Sequence, residues 1–221
     1  MTVHVNNIDI YYEKAGQGPP LLLLHGNGES HKIFRGATAR LAESFTVYSI
    51  DSRGHGKSTR VKALHYADMA EDMARFIEAL GLEKPMLYGF SDGGIVGLLV
   101  AINHPGMLSK LAASGANITP DGLKAGTLRL MRAMYFFTRG TRWELMLDEP
   151  DITEEQLGRI DIPALVLAGE KDIIREGHTR AIAGAIPGAR LRILPGEGHG
   201  SYVDDGAKLC DIIMPFFEEG I

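Results

Sequence analysis

Ser91 is the residue whose surroundings in this sequence point most directly to covalent chemistry. It lies in Gly89-Phe90-Ser91-Asp92-Gly93, a G-x-S-x-G motif that follows one apolar segment and precedes another. In a nucleophile elbow the serine occupies a strained strand-to-helix turn that exposes its hydroxyl, and flanking glycines allow the close backbone approach. A serine held in this way attacks carbonyl carbon atoms, so the motif predicts acyl transfer.

A serine nucleophile needs a base to accept its proton and an acid to orient that base. In an open parallel sheet, functional groups gather beyond the carboxyl ends of the strands. Asp172 follows the predicted strand 164–168, and His199 follows the predicted strand 190–194 with a glycine on each side. The chain order Ser, Asp, His is the one expected with this elbow. We therefore predict His199 as the base and Asp172 as its orienting acid.

Other polar residues compete for these roles. Asp121 is the rival acid, because it follows a short predicted strand at 111–114. We interpret His25 as a brace for the loop that it begins and His55 as a structural residue of a glycine-rich loop. His31 lies near the site and could touch substrate, but we expect a solvated loop histidine.

Acyl transfer also requires N–H groups aimed at the developing oxyanion. The residue after the nucleophile supplies one donor, which is the Asp92 amide, and a loop after an earlier strand supplies the second. His25-Gly26-Asn27-Gly28 occupies that loop, so we predict the Asn27 amide as the second donor. The Asp92 side chain has two interpretations, a cap at the helix N-terminus, which we favour, or a contact with a polar substrate group.

Strands and helices alternate along most of the chain. A hairpin around Asn6-Asn7 comes first, and strands are predicted at 21–24, 46–50, 86–88, 111–114, 164–168 and 190–194, of which 21–24 and 164–168 are expected to be buried. Helices are predicted at 33–44, 66–80, 94–102, 177–185 and 209–218. This alternation indicates an α/β domain with a mostly parallel sheet that helices cover on both faces. We predict a single domain over residues 1–221.

Composition excludes several classes of partner. The 221 residues carry a formal net charge of −5 and a single cysteine, Cys210. We therefore expect no nucleic acid partner and no intrachain disulfide. The chain has no evident signal peptide and no apolar run near the ~20 residues that a membrane span needs, so we expect a cytoplasmic protein without a membrane partner.

No cofactor or metal site is predicted. Gly54-His55-Gly56-Lys57-Ser58 ends like a phosphate-binding loop, but Asp51 stands where that motif requires its first glycine. We interpret this segment as a rigid loop in which Asp51 and Arg53 satisfy backbone groups or each other. One cysteine cannot build a thiolate metal site, and no dinucleotide-binding glycine motif follows a strand.

These motifs together resemble the α/β-hydrolase superfamily. The shared pieces occur in order along nearly the whole chain, namely His25-Gly26, Asp51-x-Arg53-Gly54-x-Gly56-x-Ser58, the Ser91 elbow, Gly169-Glu170-Lys171-Asp172 and Gly198-His199. The resemblance implies the α/β-hydrolase fold, with an eight-stranded, mostly parallel sheet, a catalytic triad and no cofactor. The serine at position 91 argues against related dehalogenases and epoxide hydrolases, which carry aspartate there.

The family commonly inserts a helical lid between two of its strands, and here the corresponding 117–151 insertion is short. Its apolar residues are expected to pack the insertion onto the core, and some to line a pocket. Its basic residues are expected to form a solvated face, with attraction of an acidic substrate as the alternative. A short lid implies an accessible site for a small-molecule acyl substrate.

The leading functional prediction is hydrolysis of carboxylic esters or related acyl substrates through an acyl-enzyme. Two alternatives stay open on the same scaffold. One is a C–C bond hydrolase or a cofactor-free perhydrolase, and the other is a small-ligand binder without turnover.

Overall fold

An eight-stranded sheet runs through the molecule in the computed structural model, which describes residues 1–220. The strand order is β1-β2-β4-β3-β5-β6-β7-β8, with antiparallel pairing for β1 with β2 and for β2 with β4, and parallel pairing elsewhere. The mostly parallel eight-stranded sheet with helices on both faces is confirmed. Residue 221, the end of the predicted domain, lies outside the described part. The strands are β1 Thr2–Val5, β2 Ile8–Ala15, β3 Pro20–Leu24, β4 Thr46–Ile50, β5 Met86–Phe90, β6 Lys110–Ser114, β7 Ala164–Gly169 and β8 Arg190–Leu194.

Alternation along β3 divides the hydrophobic core between the two faces of the sheet. Leu22 and Leu24 pack in the cluster on one face, and Leu21 and Leu23 pack in the cluster on the other. All four side chains are fully buried. A strand that is covered on both faces has no solvated side, which explains its continuous apolar run. At the edge of the sheet, Asn6 and Asn7 both have positive φ, as a two-residue hairpin turn requires.

Nine α-helices connect or cover the strands within residues 1–220. The predicted helix at 33–44 begins as a 3-10 turn and becomes α-helical later, and the last helix begins before residue 209 because Asp205 accepts a hydrogen bond from the Lys208 amide. None of the helices described is both long enough and apolar enough to span a bilayer. The helices are α1 Arg35–Leu41, α2 Tyr66–Ala79, α3 Asp92–Asn103, α4 Ala125–Thr138, α5 Thr141–Asp148, α6 Glu154–Leu157, α7 Glu176–Ala185, α8 Ser201–Asp204 and α9 Gly206–Glu218.

Residues 117–151, the predicted insertion, contain α4 and α5 and share a small core with the loop after β7. Met131 is buried against Leu123 and Ile174, as expected for residues that pack the insertion onto the domain. That expectation is wrong for Leu130, Phe136 and Phe137, which are exposed at 62%, 66% and 80%. An amphipathic helix buries a single face, and these three side chains lie on the opposite face of α4.

Candidate active site

Ser91 lies on a strained turn between β5 and α3. Its backbone has φ 53° and ψ −116°, a conformation that non-glycine residues rarely adopt. A Cβ at Gly89 would lie 2.0 Å from the Gly93 carbonyl oxygen, and one at Gly93 would lie 2.2 Å from the Leu24 carbonyl oxygen. Both glycines of the G-x-S-x-G motif are therefore required by close backbone packing, as the elbow predicts. The Ser91 amide donates to the Ser114 carbonyl oxygen at 2.7 Å, which ties the turn to β6.

The structure brings Ser91, His199 and Asp172 together. His199 Nε2 lies 3.1 Å from Ser91 Oγ, and His199 Nδ1 lies 2.7 Å from Asp172 Oδ1. Because the carboxylate only accepts, the proton is assigned to Nδ1, which leaves Nε2 free to accept from the serine hydroxyl. The three side chains form one hydrogen-bonded chain that starts at the exposed end of the elbow.

Asp172 is buried within the loop that follows β7. Burial opposes its ionisation, but hydrogen bonds from His199 and from the amides of Ile174 and Gly169 outweigh this, so the pKa of Asp172 lies below its usual range. The carboxylate is therefore charged and fixed in orientation at neutral pH. The rival acid Asp121 is exposed on the 3-10 turn Pro120–Gly122. His199 Nδ1 bonds Asp172 and not Asp121.

The two predicted oxyanion donors are both available. Within residues 1–220, the backbone amides of Asn27 and Asp92 have no protein acceptor, because Asn27 lies in a loop and Asp92 in the first turn of α3. Asn27 lines the same cavity as Ser91, and its side chain donates to the Arg142 carbonyl oxygen at 3.2 Å. Two unpaired amides beside a serine hydroxyl form a candidate oxyanion site.

The Asp92 carboxylate does not make the predicted capping hydrogen bond to α3. Instead, Tyr66 of α2 donates its hydroxyl to Asp92 Oδ1 at 2.9 Å, and Oδ2 has no hydrogen-bond partner within the described residues. Burial raises the pKa of Asp92 to about 6, although the Tyr66 hydrogen bond opposes this shift. A charged carboxylate at this position therefore destabilises the fold near neutral pH.

Replacing Asp92 with asparagine is expected to stabilise the protein in a pH-dependent way. The folded-state pKa of about 6 exceeds the ordinary aspartate value of 3.8, so ionisation favours the unfolded chain and the penalty develops between about pH 4 and pH 6. The shift corresponds to at most about 3 kcal/mol at pH 7, less what the weaker Tyr66 hydrogen bond loses. Denaturant unfolding of Asp92→Asn at pH 4 and pH 7 measures it, with exposed Asp161→Asn as the control. An equal effect at both pH values would contradict this assignment.

Two histidines behind the site have the roles that burial dictates. His25 Nδ1 donates to the Gly26 carbonyl oxygen at 2.7 Å, and its Nε2 accepts from the Ser52 amide at 3.1 Å. Burial lowers the pKa of His25 to about 4, so the ring is neutral, as this pattern requires. His25 thus braces the loop as expected, and His55 likewise bonds the Arg53 carbonyl oxygen at 2.9 Å.

The expectation that His31 is a solvated loop residue is wrong. Its side chain is buried, with Nδ1 lying 2.8 Å from Asp51 and Nε2 lying 3.0 Å from Glu13. The Asp51 carboxylate also accepts from the amides of His31 and Lys57, in agreement with the interpretation that it satisfies backbone groups. A buried carboxylate needs such donors, and His31 is one of them. Arg53 pairs with Asp72 of α2 instead.

Glu29 is a site residue that the sequence analysis missed. Its carboxylate accepts a hydrogen bond at 2.8 Å from the amide of Gly26, the residue before Asn27. The Glu29 side chain also lines the cavity above Ser91. Burial raises the pKa of Glu29, although the Gly26 hydrogen bond opposes that shift. The available signal was an acidic residue two positions beyond the predicted oxyanion donor, within reach of the same loop.

A cavity of about 360 Å³ opens above Ser91. One side is polar, and the other is an apolar wall that the 117–151 insertion and the loop after β7 build. Within residues 1–220 no three His, Cys, Asp or Glu side chains are arranged to ligate a metal ion. The side chains around the cavity include Asn27, Glu29, Phe90, Trp143, Met146 and Ile173.

Comparison with known proteins places this chain in a family. A sequence model described as alpha/beta hydrolase fold matches residues 19–145, which is more than half of the chain. This chain belongs to the alpha/beta hydrolase fold family. Within that family it is 30% identical to the human serine hydrolase BPHL over 95% of this chain and 84% of that protein. It is also 27% identical to a putative carbamate hydrolase, RutD, of Azorhizobium caulinodans, over 96% of this chain and 92% of that protein.

Solved structures of other alpha/beta hydrolases have the same fold. The enol-lactonase of Burkholderia xenovorans LB400 matches with a TM-score of 0.83 at 19% identity, over 99% of this chain and 100% of that chain. An esterase from Rhodococcus sp. ECU1013, RhEst1, matches with a TM-score of 0.80 at 23% identity, over 99% and 98%. At these identities the likeness shows the fold alone. The matched family consists of hydrolases that act on small-molecule substrates.

Proposed function

We propose that this protein is a serine hydrolase that cleaves carboxylic esters or related acyl substrates through an acyl-enzyme. The observation that carries the proposal is the hydrogen-bonded chain from Ser91 Oγ through His199 to Asp172. In the first step, Ser91 attacks the substrate carbonyl carbon while His199 Nε2 takes the hydroxyl proton. Asp172 holds the ring in the required tautomer and stabilises the imidazolium that forms.

The carbonyl oxygen gains negative charge as the tetrahedral intermediate forms. The amides of Asn27 and Asp92 have no other acceptor in the described part of the chain and are assigned to this oxygen. Each such donor contributes roughly 3 kcal/mol to transition-state stabilisation. When the intermediate collapses, His199 returns its proton to the leaving alkoxide, and the acyl group stays on Ser91.

Hydrolysis of the acyl-enzyme repeats this chemistry with water as the nucleophile. His199 takes a proton from the water molecule as it attacks the acyl carbon, and the same two amides stabilise the second oxyanion. Collapse of this intermediate releases the carboxylic acid and returns the proton to Ser91. No group beyond the residues of this chain and one water molecule is needed to balance the reaction.

The shape of the cavity supports a small or medium acyl substrate. A volume of about 360 Å³ lies at the lower end of the range for small-molecule sites. Trp143 and Met146 of α5 form the apolar wall, so we propose that the 117–151 insertion is a short lid that contacts the apolar part of the ester.

A substrate panel tests the proposed reaction class. We expect turnover of 4-nitrophenyl acetate and butyrate, with little turnover of diketones and no peroxide-stimulated halogenation. Preferred cleavage of a diketone would instead support a C–C bond hydrolase, and halogenation would support a perhydrolase. Tight binding of a small molecule without turnover of any substrate would support a ligand-binding protein.

Replacing Glu29 with glutamine or alanine tests whether the hydrogen bond that Glu29 accepts from the Gly26 amide positions the oxyanion loop. The carbonyl oxygen of glutamine can still accept this hydrogen bond, although a charged acceptor makes the stronger one, whereas alanine removes the acceptor. We expect Glu29→Gln to retain most activity and Glu29→Ala to lower kcat roughly tenfold with little change in KM, because the Asn27 donor acts mainly in the transition state. Steady-state kinetics of both variants measure this split. A rise in KM at constant kcat would show that Glu29 binds substrate instead.

A further inference from the structure

The outer face of α4 exposes large apolar side chains. The large exposed hydrophobic residues within 1–220 are Met1, Leu130, Phe136 and Phe137, so three of the four lie on this one helix. The two phenyl rings pack edge to face with their centroids 5.3 Å apart. A contiguous apolar patch of this kind on a protein surface marks an interaction site more often than scattered exposed residues do.

The helix and the residues that flank it carry an unbalanced positive charge. Residues 122–143 contain five Lys or Arg residues and no Asp or Glu, although the whole chain has 23 basic and 28 acidic residues. None of the five forms an ion pair with a carboxylate of the described chain. Arg139 lies over the rings of Tyr135 and Phe136 at 5.4 and 5.9 Å. The five are Lys124, Arg129, Arg132, Arg139 and Arg142.

We propose that this basic and aromatic face of α4 binds the surface of bilayers that contain anionic lipids. Cations without protein partners match anionic headgroups, and exposed phenyl rings enter the boundary between headgroups and acyl chains. The five cations contribute +5 to a chain of net charge −5, so the rest of the chain carries −10 and repels such a surface. The charge distribution therefore also selects the face that approaches it. The proposal departs from the expectation that the protein has no membrane partner.

A second copy of the chain is a poorer occupant of this face. In a symmetric dimer each residue of the patch meets the same patch of the partner. That arrangement would bring Arg129 and Arg132 of one copy against the same cations of the other, with no carboxylate between residues 122 and 143 to separate them. A lipid surface supplies the missing negative charge together with an apolar layer.

The location of α4 gives the docking a consequence for the site. α4 packs against α5, and α5 carries Arg142, Trp143 and Met146 to the cavity above Ser91. A bilayer bound at α4 would therefore lie next to the helix pair that carries one wall of the cavity. Esters that partition into the bilayer would be concentrated close to the site. The binding itself goes beyond the proposed function, because it does not depend on Ser91.

Co-sedimentation with vesicles tests the proposal without hydrolysis. The Ser91→Ala protein is mixed with vesicles of phosphatidylcholine alone or of phosphatidylcholine with phosphatidylglycerol. We expect binding to the anionic vesicles at least roughly tenfold tighter than to the neutral ones, with the preference reduced by salt. In this background, Arg132→Glu and Phe137→Ser should each weaken anionic binding by roughly tenfold.

A matched control separates this face from general charge effects. Lys84 is exposed, forms no ion pair in the described chain and precedes β5 at the edge of the sheet opposite the cavity, so Lys84→Glu should bind like the parent. Unchanged melting temperatures would establish that the variants are folded. Absence of anionic vesicle binding, or equal losses with Lys84→Glu, would overturn the proposal. Binding of polyglutamate in preference to vesicles, or a dimer that Phe137→Ser dissociates, would overturn it in favour of a protein partner.

Discussion

Replacing Ser91 with alanine is expected to lower kcat/KM for 4-nitrophenyl acetate by roughly 10⁴-fold or more. The reason is that no other hydroxyl is held at the strained elbow with a histidine nitrogen 3.1 Å away. Loss of a serine nucleophile removes the covalent route and leaves only what the oxyanion donors and substrate binding provide. Reaction with a fluorophosphonate probe should disappear in the same variant.

The control for this experiment is Ser109→Ala. Ser109 lies at the amino end of β6, on the side of the sheet away from the cavity, and its hydroxyl makes no hydrogen bond within the described residues. Its activity and probe labelling should equal those of the parent protein. Turnover of Ser91→Ala within tenfold of the parent, with the fold intact, would mean that the nucleophile has been misassigned.

Replacing Asp172 with asparagine is expected to lower kcat by roughly 10³- to 10⁴-fold with little change in KM. Asparagine can donate its amide N–H to His199 Nδ1, which favours the tautomer with the proton on Nε2. That tautomer cannot accept the Ser91 proton. Steady-state kinetics at neutral pH measure the loss, and the melting temperature shows whether burial of the new amide has also weakened the fold.

Asp121→Asn is the matched control, since Asp121 was the rival acid from the sequence. Its side chain is exposed, so this change should leave kcat within about twofold and the stability within about 0.5 kcal/mol. Equal losses from both variants, or a larger loss from Asp121→Asn, would contradict the proposed role of Asp172. The pair therefore separates the acid bonded to His199 from one that merely follows a neighbouring strand.

Much of the fold and the site follows from local patterns in the sequence. Apolar runs such as Leu21–Leu24 set the strands, and residues just beyond β5, β7 and β8 meet at one edge because parallel strands end together. Chain order and strand position were therefore enough to bring Ser91, Asp172 and His199 within hydrogen-bond distance.

Contacts between distant residues were not accessible in the same way. The Asp92 carboxylate accepts a hydrogen bond from Tyr66, which begins a different helix. The buried His31 side chain contacts Asp51, which follows β4, and Glu13, which lies in β2. From the sequence alone, a polar residue in a loop is predicted to be solvated, because its distant partners cannot be identified. The prediction that all apolar residues of α4 pack onto the core was wrong for another reason. The small core beneath the helix covers only the side around Met131.

The site concentrates conformational and electrostatic strain at two adjacent residues. Ser91 has positive φ, and Asp92 is a buried carboxylate with its pKa raised to about 6. Each feature destabilises the fold. The first follows from placing a hydroxyl at the tip of β5, whereas the second belongs to the side chain of the residue whose amide is assigned to the oxyanion. Strain of this kind persists only where the surrounding structure enforces it, and here tight packing around Gly89 and Gly93 does so.

The most direct test of the account is mass spectrometry of the intact protein after a rapid acid quench during turnover of 4-nitrophenyl acetate. We predict an added acetyl group that is absent once the substrate is exhausted and that peptide digestion maps to Ser91. The adduct should form with the parent protein and be absent from Ser91→Ala. An acetyl group on another residue during ester turnover would contradict the assignment of Ser91 as the nucleophile. Turnover of the ester by Ser91→Ala as fast as by the parent protein would contradict it as well.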